Sequence, residues 1–516
     1  MVAREIDSPQ SGLAAPGALW VEPLEAAPAL SRSSAATLTE QLAQRFTQRI
    51  RQRLMPPGTR LPSVRECAKR HGVSPHTVVA AYDQLLAQGL IEARLKRGFF
   101  VREPSMHAGA ARPFSATGEV RPFSAGAEGR HPSVVAMAAP LDATALIRGM
   151  FHGIGGKPAP GLGTLPPDWL DLPLLNSALR KVLAQGDPDI VLQYGHPSGD
   201  TRLREALAQR LQDFGVRASP QQIVTATGAT HALDIISRTL LRPGDAVLVD
   251  EPAWAVEYAR LTQLGMRLLP VPRGAEGPDL DVMATLAREH QPRFYVTVPV
   301  LHNPTGNSLT PRAAHQILTL AQQHDFYIVE DDTYAHLAPA HLPRMAALDG
   351  LQRTLYVSGF SKILTPSWRV GFVAAPMALV ERLVDVKLLS TLTTPAVLEQ
   401  AIALCLTQGS LRRHAERVTA RLDAARQRTV RLAQAHGCDF VTPPQGLFGW
   451  LDTHCDTDAL AQLMVDDGWL LAPGHLFMSS RQPSTLMRIN FATCQDASFW
   501  RAFVAARQRL GAARKA

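Results

Sequence analysis

Apolar residues recur every four positions at Leu38, Leu42, Phe46, Ile50 and Leu54, the period of one helix face. Thr37 and Glu40 stand at capping-box spacing ahead of that run, and Pro56-Pro57-Gly58 stops it. Ser63 and Glu66 form a second box, opening a short helix that ends at Gly72. Ser74 caps a third helix with Pro75 at its first position, where a missing N–H costs nothing. Val78, Ala81, Tyr82, Leu85 and Leu86 give that helix an apolar face, and Gly89 closes it. Two helices joined by the tight His71-Gly72-Val73 turn make a helix-turn-helix. Residues 90–101 read as two short strands around a basic tip of Arg94, Lys96 and Arg97, the form of a wing. From residue 160 onward, strand-like apolar runs alternate with amphipathic helices, which predicts an α/β domain with a mostly parallel sheet.

The remaining stretches carry no such pattern. Residues 1–36 are rich in Ala, Pro and Ser and read as a disordered tail. Residues 104–160 are rich in Gly, Ala, Ser and Pro, and repeat RPFSA at 112–116 and 121–125, which reads as a flexible linker. The folded segments are then 37–103 and 161–516. No uncharged apolar run reaches the length of a membrane span, and no apolar leader opens the chain. Five scattered cysteines form neither a disulfide framework nor a metal site, so the expected setting is the cytoplasm, without metal or membrane.

Charge sharpens the picture at one place. The chain carries +8, and residues 37–103 alone hold twelve Lys+Arg against five Asp+Glu. A compact basic segment on a near-neutral body points to nucleic acid, although on charge alone a solvated basic face is as good a reading. The helix-turn-helix decides for DNA. A helix start aimed into a major groove offers Ser74, His76 and Thr77, with Arg65, Arg94, Lys96 and Arg97 on phosphates.

Lysine is rare in this chain: seven residues against forty-six arginines over its whole length. Lys362 nevertheless follows the apolar run 354–358, where an amine able to lose its proton can form a Schiff base and an arginine cannot. Other strand ends carry polar groups in the crevice where open parallel sheets bind ligands. After 246–250 comes Trp254, able to stack on a flat ring, and after 294–300 comes Asn303, able to bond a ring oxygen. After 326–330 come Asp331, suited to a protonated ring nitrogen, and Tyr334, suited to the same ring oxygen. Gly228 and Ala229 open a helix whose N–H groups suit a phosphate, with Arg369 supplying charge. Each feature alone reads equally well as core packing or a helix cap. Jointly they describe a ring with a hydroxyl, a nitrogen, a phosphate and an aldehyde, which is pyridoxal 5′-phosphate.

Two resemblances rest on these residues. Residues 57–101, PGTRLPSVRECAKRHGVSPHTVVAAYDQLLAQGLIEARLKRGFFV, resemble the winged helix-turn-helix of GntR-type bacterial regulators. The family often has Arg directly after the capping serine, where this chain has Pro75, so the operator sequence does not carry over. Residues 160–516 resemble fold-type I aminotransferases of the aspartate aminotransferase class, through TGAT, HNPTG, EDDTY, SGFSKILTPSWRVG and LMRINFA. That resemblance implies a large PLP-dependent transferase domain with a smaller C-terminal α+β subdomain. It also implies Lys362 as the Schiff-base lysine and proton shuttle, Asp331 on the ring nitrogen, and Asn303 and Tyr334 on the 3′-oxygen. Trp254 would stack on the ring, and Gly228, Ala229, Ser361 and Arg369 would hold the phosphate, joined by Tyr194 from a partner subunit. Arg488 would grip the α-carboxylate of an amino compound. The serine often found three residues before the lysine is Gly359 here, with Ser358 as the available substitute.

The combination resembles the MocR subfamily of GntR regulators, which implies a homodimer binding operator DNA and sensing an amino compound. The alternative is a working aminotransferase with a secondary DNA-binding module, because every residue that transamination needs is present.

Overall fold

The computed structural model of the chain describes residues 36–51, 55, 58, 60–94, 98–102, 159–480 and 482–513. They fall in two compact units, the first within residues 1–140 and the second within 141–516. The tail at 1–35, the repeated RPFSA, and Lys96 and Arg97 of the wing tip lie outside the described residues.

The first unit is built as its caps dictate. Helix α1 (Leu38–Arg51) starts at the Thr37–Glu40 box, where the Thr37 N–H donates to the Glu40 carboxylate at 2.8 Å and the Glu40 N–H returns to the Thr37 hydroxyl. Helix α2 (Val64–His71) begins at Ser63 and ends on Gly72 at φ 63, a conformation glycine adopts without steric cost. Helix α3 (Pro75–Ala87) begins at Ser74, whose hydroxyl accepts from the Thr77 N–H at 3.1 Å. Strands β1 (Ile91–Arg94) and β2 (Gly98–Val101) pair antiparallel as the wing. Leu42, Phe46, Cys67, Val78, Tyr82, Leu85 and Ile91 form the buried core. The buried Tyr82 hydroxyl donates to the Pro62 carbonyl at 2.9 Å, which fixes α3 against the start of α2.

The second unit centres on a seven-stranded sheet made from β3 (Ile223–Ala226), β4 (Ala246–Glu251), β5 (Arg267–Pro272), β6 (Phe294–Thr297), β7 (Tyr327–Asp331), β8 (Thr354–Gly359) and β9 (Gly371–Ala374). Its order is β3-β9-β8-β7-β6-β4-β5. Every neighbouring pair is parallel except those involving β9, which runs against both β3 and β8. The central strands are buried on both faces, the reason they read as uninterrupted apolar runs rather than as alternations. A four-stranded antiparallel sheet follows, β10 (Asp439–Phe440), β11 (Phe448–Asp452), β12 (Ala472–Pro473) and β13 (Leu486–Asn490), ordered β10-β11-β13-β12. The carboxyl ends of β4, β6, β7 and β8 lie side by side, so the residues following them share one edge of the large sheet.

Among the described residues no helix is long and apolar enough to cross a membrane.

Candidate functional site

Lys362 lies in the turn directly after β8, and its ammonium donates to the Gly163 carbonyl at 2.7 Å. Burial is the main force on this amine and brings it down to about 8; Arg488 and Arg369 push the same way and Asp331 opposes them. Near pH 7 roughly a tenth of the amine is then unprotonated, far more than an ordinary lysine offers.

Asp331 ends β7 and is buried. Its Oδ1 accepts from both the N–H and the hydroxyl of Thr333. Burial nevertheless raises its carboxyl to about 6, with Glu257 adding to the rise. Such a carboxylate gains from any cation brought beside it. The next residue anchors the strand end from below: Asp332 accepts from Arg344 Nε at 3.0 Å and from the Tyr356 hydroxyl at 2.8 Å, all three buried.

Asn303 and Tyr334 meet, with Asn303 Nδ2 donating to the Tyr334 hydroxyl at 3.4 Å. The turn carrying Asn303 seats tightly on β11, because Gly306, at φ 79, brings its α-carbon where a side chain would come within 2.8 Å of the Phe448 carbonyl. Burial raises the Tyr334 phenol above its ordinary range, and its ring stands edge-on to Phe448.

Arg488, on β13, donates from Nη1 to Asn303 Oδ1 at 2.9 Å and from Nη2 to the Gly161 carbonyl. Phe448 and Phe477 lie against its guanidinium, at 4.6 and 5.0 Å from ring centre to carbon. Among the described residues no carboxylate pairs with it, and its buried Nε has no hydrogen-bond partner. Burial lowers it to about 10. A buried cation in this condition is a standing site for an anion.

Gly228, at φ 80, precedes the helix Ala229–Leu240, which no side chain caps. A β-carbon on Gly228 would stand 2.5 Å from Arg369 Nη2, so only glycine lets that guanidinium close over the helix start. Arg369 also donates to the Ser361 hydroxyl and the Thr227 carbonyl, both at 3.3 Å. Gly228, Ala229, Ser361 and Arg369 thus converge on one helix N-terminus, a cradle for a phosphate. Ser358 is not part of it by its hydroxyl, which donates to the Asp332 carbonyl at 2.9 Å.

Trp254 is half-buried at the start of the helix Ala255–Gln263, and its loop is tied to the C-terminal part of the unit: the Ala253 N–H donates to the Phe477 carbonyl at 2.9 Å, and Ser479 bonds Glu251. Tyr194 is 80 % exposed.

In the first unit, Arg65, Ser74 and His76 are exposed and Thr77 is half-buried at the start of α3. Arg94 is exposed but occupied, donating to Glu92 at 2.8 Å and lying over the Phe100 ring at 4.6 Å. An exposed pair of this kind is worth about 0–1 kcal/mol, so a phosphate can take the guanidinium at small cost.

The sequence did not single out Thr333, Gly161, Gly163 or Asn490. Asn490 had a usable signal: it stands two residues from Arg488, and residues i and i+2 of a strand share a face.

Comparison with known proteins accounts for both units. Residues 167–504 match the family model for aminotransferase class I and II, and residues 38–101 that for bacterial regulatory proteins of the gntR family. The uncharacterized HTH-type transcriptional regulator YisV of Bacillus subtilis is 26 % identical over 90 % of this chain and 95 % of its own. The probable rhizopine catabolism regulatory protein MocR of Rhizobium meliloti is 30 % identical over 80 % of each chain. The α-aminoadipate aminotransferase LysN of Thermus thermophilus, solved with N-(5′-phosphopyridoxyl)-L-leucine, superposes with a TM-score of 0.65 at 26 % identity, covering 71 % of this chain and 95 % of its own. The cofactor implied is pyridoxal 5′-phosphate. The residues fit it: a helix-start cradle that a β-carbon would fill, a buried carboxylate and a guanidinium with an unpartnered Nε lie near enough to the depressed lysine to act on its charge. The chain belongs to the MocR-type GntR regulators, a gntR-family winged helix joined to an aminotransferase class I and II domain.

Proposed function

We propose that this chain is a pyridoxal-phosphate-dependent transcriptional regulator, a homodimer in the cytoplasm that binds operator DNA and senses an amino compound bearing a carboxylate. The observation that carries the sensing role is Arg488: a buried guanidinium with an unpartnered Nε, beside a lysine depressed to about 8, in a chain that carries a gntR-family winged helix at 38–101.

When bound, pyridoxal 5′-phosphate supplies an amine-reactive aldehyde and an electron-withdrawing ring. This chain's residues supply the rest. Gly228, Ala229, Ser361 and Arg369 hold the phosphate. Asp331 keeps the ring nitrogen protonated, Asn303 and Tyr334 hold the ring oxygen, and Trp254 covers a ring face. Lys362 holds and releases a proton at Nζ, and Arg488 orients the carboxylate of the amino compound. The domain limits that go with this reading are 37–103 for DNA and 161–516 for the cofactor, joined by a linker.

The dimer rests on an exposed apolar stretch. Val191 and Leu192 are 60 % and 76 % exposed, and Tyr194 follows them. Burying them against a second copy would carry Tyr194 into the interface, from which the family resemblance has it reach the partner's phosphate.

A second reading, a working aminotransferase, is favoured by Lys362, Asp331, Asn303, Tyr334 and Arg488 all being present in one crevice. Mapping the DNA bound in cells, together with expression of the flanking genes, tests the preferred reading. Specific sites whose neighbouring transcription follows the protein support it, and their absence rejects it.

A further inference from the structure

The stretch Ala159–Thr164 reaches the site from the segment that the sequence places between the two units, and its carbonyls are divided between two sides. Pro160 accepts from the Asn490 N–H at 3.0 Å, and Leu162 and Thr164 accept from Asn490 Nδ2 at 3.0 and 2.7 Å. The intervening carbonyls face the site's cations: Gly161 accepts from Arg488 Nη2, and Gly163 from Lys362 Nζ at 2.7 Å. The stretch opens with a turn, the Leu162 N–H donating to the Ala159 carbonyl at 3.1 Å, and beyond it the carbonyls gripped by Asn490 alternate with those that meet Arg488 and Lys362. Asn490 is itself fixed, its Oδ1 accepting from the Ala492 N–H at 2.9 Å. The stretch is pinned from a third direction by the Gly161 N–H, which donates to the Leu470 carbonyl at 2.8 Å.

We propose that Ala159–Thr164 is a strap that occupies the carboxylate anchor from within, is positioned by Asn490, and is displaced when the carboxylate of an amino compound takes Arg488. This rests on the reading of the domain as a sensor and names how that site is regulated. A neutral carbonyl satisfies one N–H of a guanidinium, whereas a carboxylate accepts two with full charge. The ligand therefore prefers the strap-out arrangement, which is the differential affinity a switch requires.

The test uses the full-length cofactor-loaded protein and three amine-free carboxylates as probes: maleate, propionate and 3-phenylpropionate. Hydrogen exchange at the Gly161 amide, which bonds the Leu470 carbonyl outside the strap, reports the strap, and the visible absorbance reports the site. In the wild type, saturating probe should raise exchange at that amide by roughly tenfold. Asn490→Ala should show fast exchange without probe and bind the probe roughly tenfold more tightly. A gain in affinity is not what loss of a merely structural residue produces. Gly161→Ala serves as a second variant outside the core, since its new β-carbon would meet the Leu471 carbonyl carbon at 2.4 Å and unseat the strap; it should behave likewise. Probe binding with unchanged strap exchange overturns the proposal, as does wild-type probe affinity in both variants or no saturable probe effect in any of the three proteins. Operator binding is measured separately, so failure of the regulator reading is distinguishable from failure of the strap.

Discussion

Arg488 donates to Asn303 Oδ1 at 2.9 Å, and the same amide donates to the Tyr334 hydroxyl at 3.4 Å. One side chain therefore joins the carboxylate anchor to the group assigned to the cofactor ring. Replacing Asn303 by Ala leaves a buried guanidinium short of another acceptor, at about 1–3 kcal/mol. Asn303→Ala should bind pyridoxal 5′-phosphate some 5- to 100-fold more weakly and lose affinity for carboxylates as well. Fluorescence titration of the cofactor-free protein reads the first effect. An unchanged cofactor affinity would count against the shared role of this amide.

Lys362 is expected to react with the cofactor as an amine of depressed basicity. Uptake of pyridoxal 5′-phosphate by the cofactor-free chain should rise with pH and level off above about 8, rather than near the ordinary 10.5. After burial, Arg488 is the largest cause of that depression, so Arg488→Leu should move the midpoint upward. Lys362→Arg keeps the charge and should abolish both the visible absorbance and the borohydride-stable phosphopyridoxyl adduct. Peptide mapping that finds an adduct at another lysine would place the reactive amine elsewhere.

Asp331 makes a prediction about stability. Its folded carboxyl lies at about 6, above the ordinary 3.8, through burial. Between those values the folded chain holds a proton that the unfolded chain has released, so this group's contribution to stability falls as pH rises through that window. A protonated ring nitrogen placed beside the carboxylate offsets the cost. The Tm difference between cofactor-loaded and cofactor-free protein should therefore widen as pH rises through about 6. In Asp331→Asn that widening should vanish, which paired thermal scans would show.

Much of this was legible in the sequence because it was local. Thr37 with Glu40, and Ser74 with Pro75, mark helix starts by side chains reaching their own backbone neighbours. The two-sided burial of β6, β7 and β8 writes itself as apolar runs, and the residues closing them are the ones a crevice uses. What escaped was non-local or compositional. Thr333 bonds Asp331 across a single residue, but nothing in its type distinguishes it from any threonine after a strand. Pro160 ends the Gly- and Pro-rich stretch that reads as linker, yet it is buried and bonded to Asn490, 330 positions along the chain. The contacts there use backbone carbonyls, which every residue carries.

The winged helix should bind DNA chiefly by neutralising phosphates, so log affinity of the full-length protein for its own promoter region should fall steeply with log salt. Arg65 is exposed at the start of α2. Arg65→Ala should weaken binding and reduce the magnitude of the salt slope by about 1, with the cofactor spectrum unchanged. A slope identical to wild type, measured by fluorescence anisotropy across a salt series, would remove Arg65 from the interface.

Arg488 separates regulator from enzyme. A ligand shifts a two-state protein only by its differential affinity for the two states, and in this site the guanidinium is the group that distinguishes a carboxylate-bearing amino compound from the Gly161 carbonyl. Arg488→Ala should retain the cofactor on Lys362 and retain basal operator binding, because Lys362 Nζ bonds the Gly163 carbonyl rather than the lost guanidinium, and the proposed operator contacts are on the winged helix. It should lose the change in operator occupancy that amino compounds produce, read by anisotropy with a panel of amino acids and by a reporter fused to the adjacent promoter. If instead the variant regulates normally, and the wild type interconverts amino donors and keto acids at about the usual 1–10³ per second, then carboxylate binding at Arg488 serves turnover and the chain is an aminotransferase that carries a DNA-binding module.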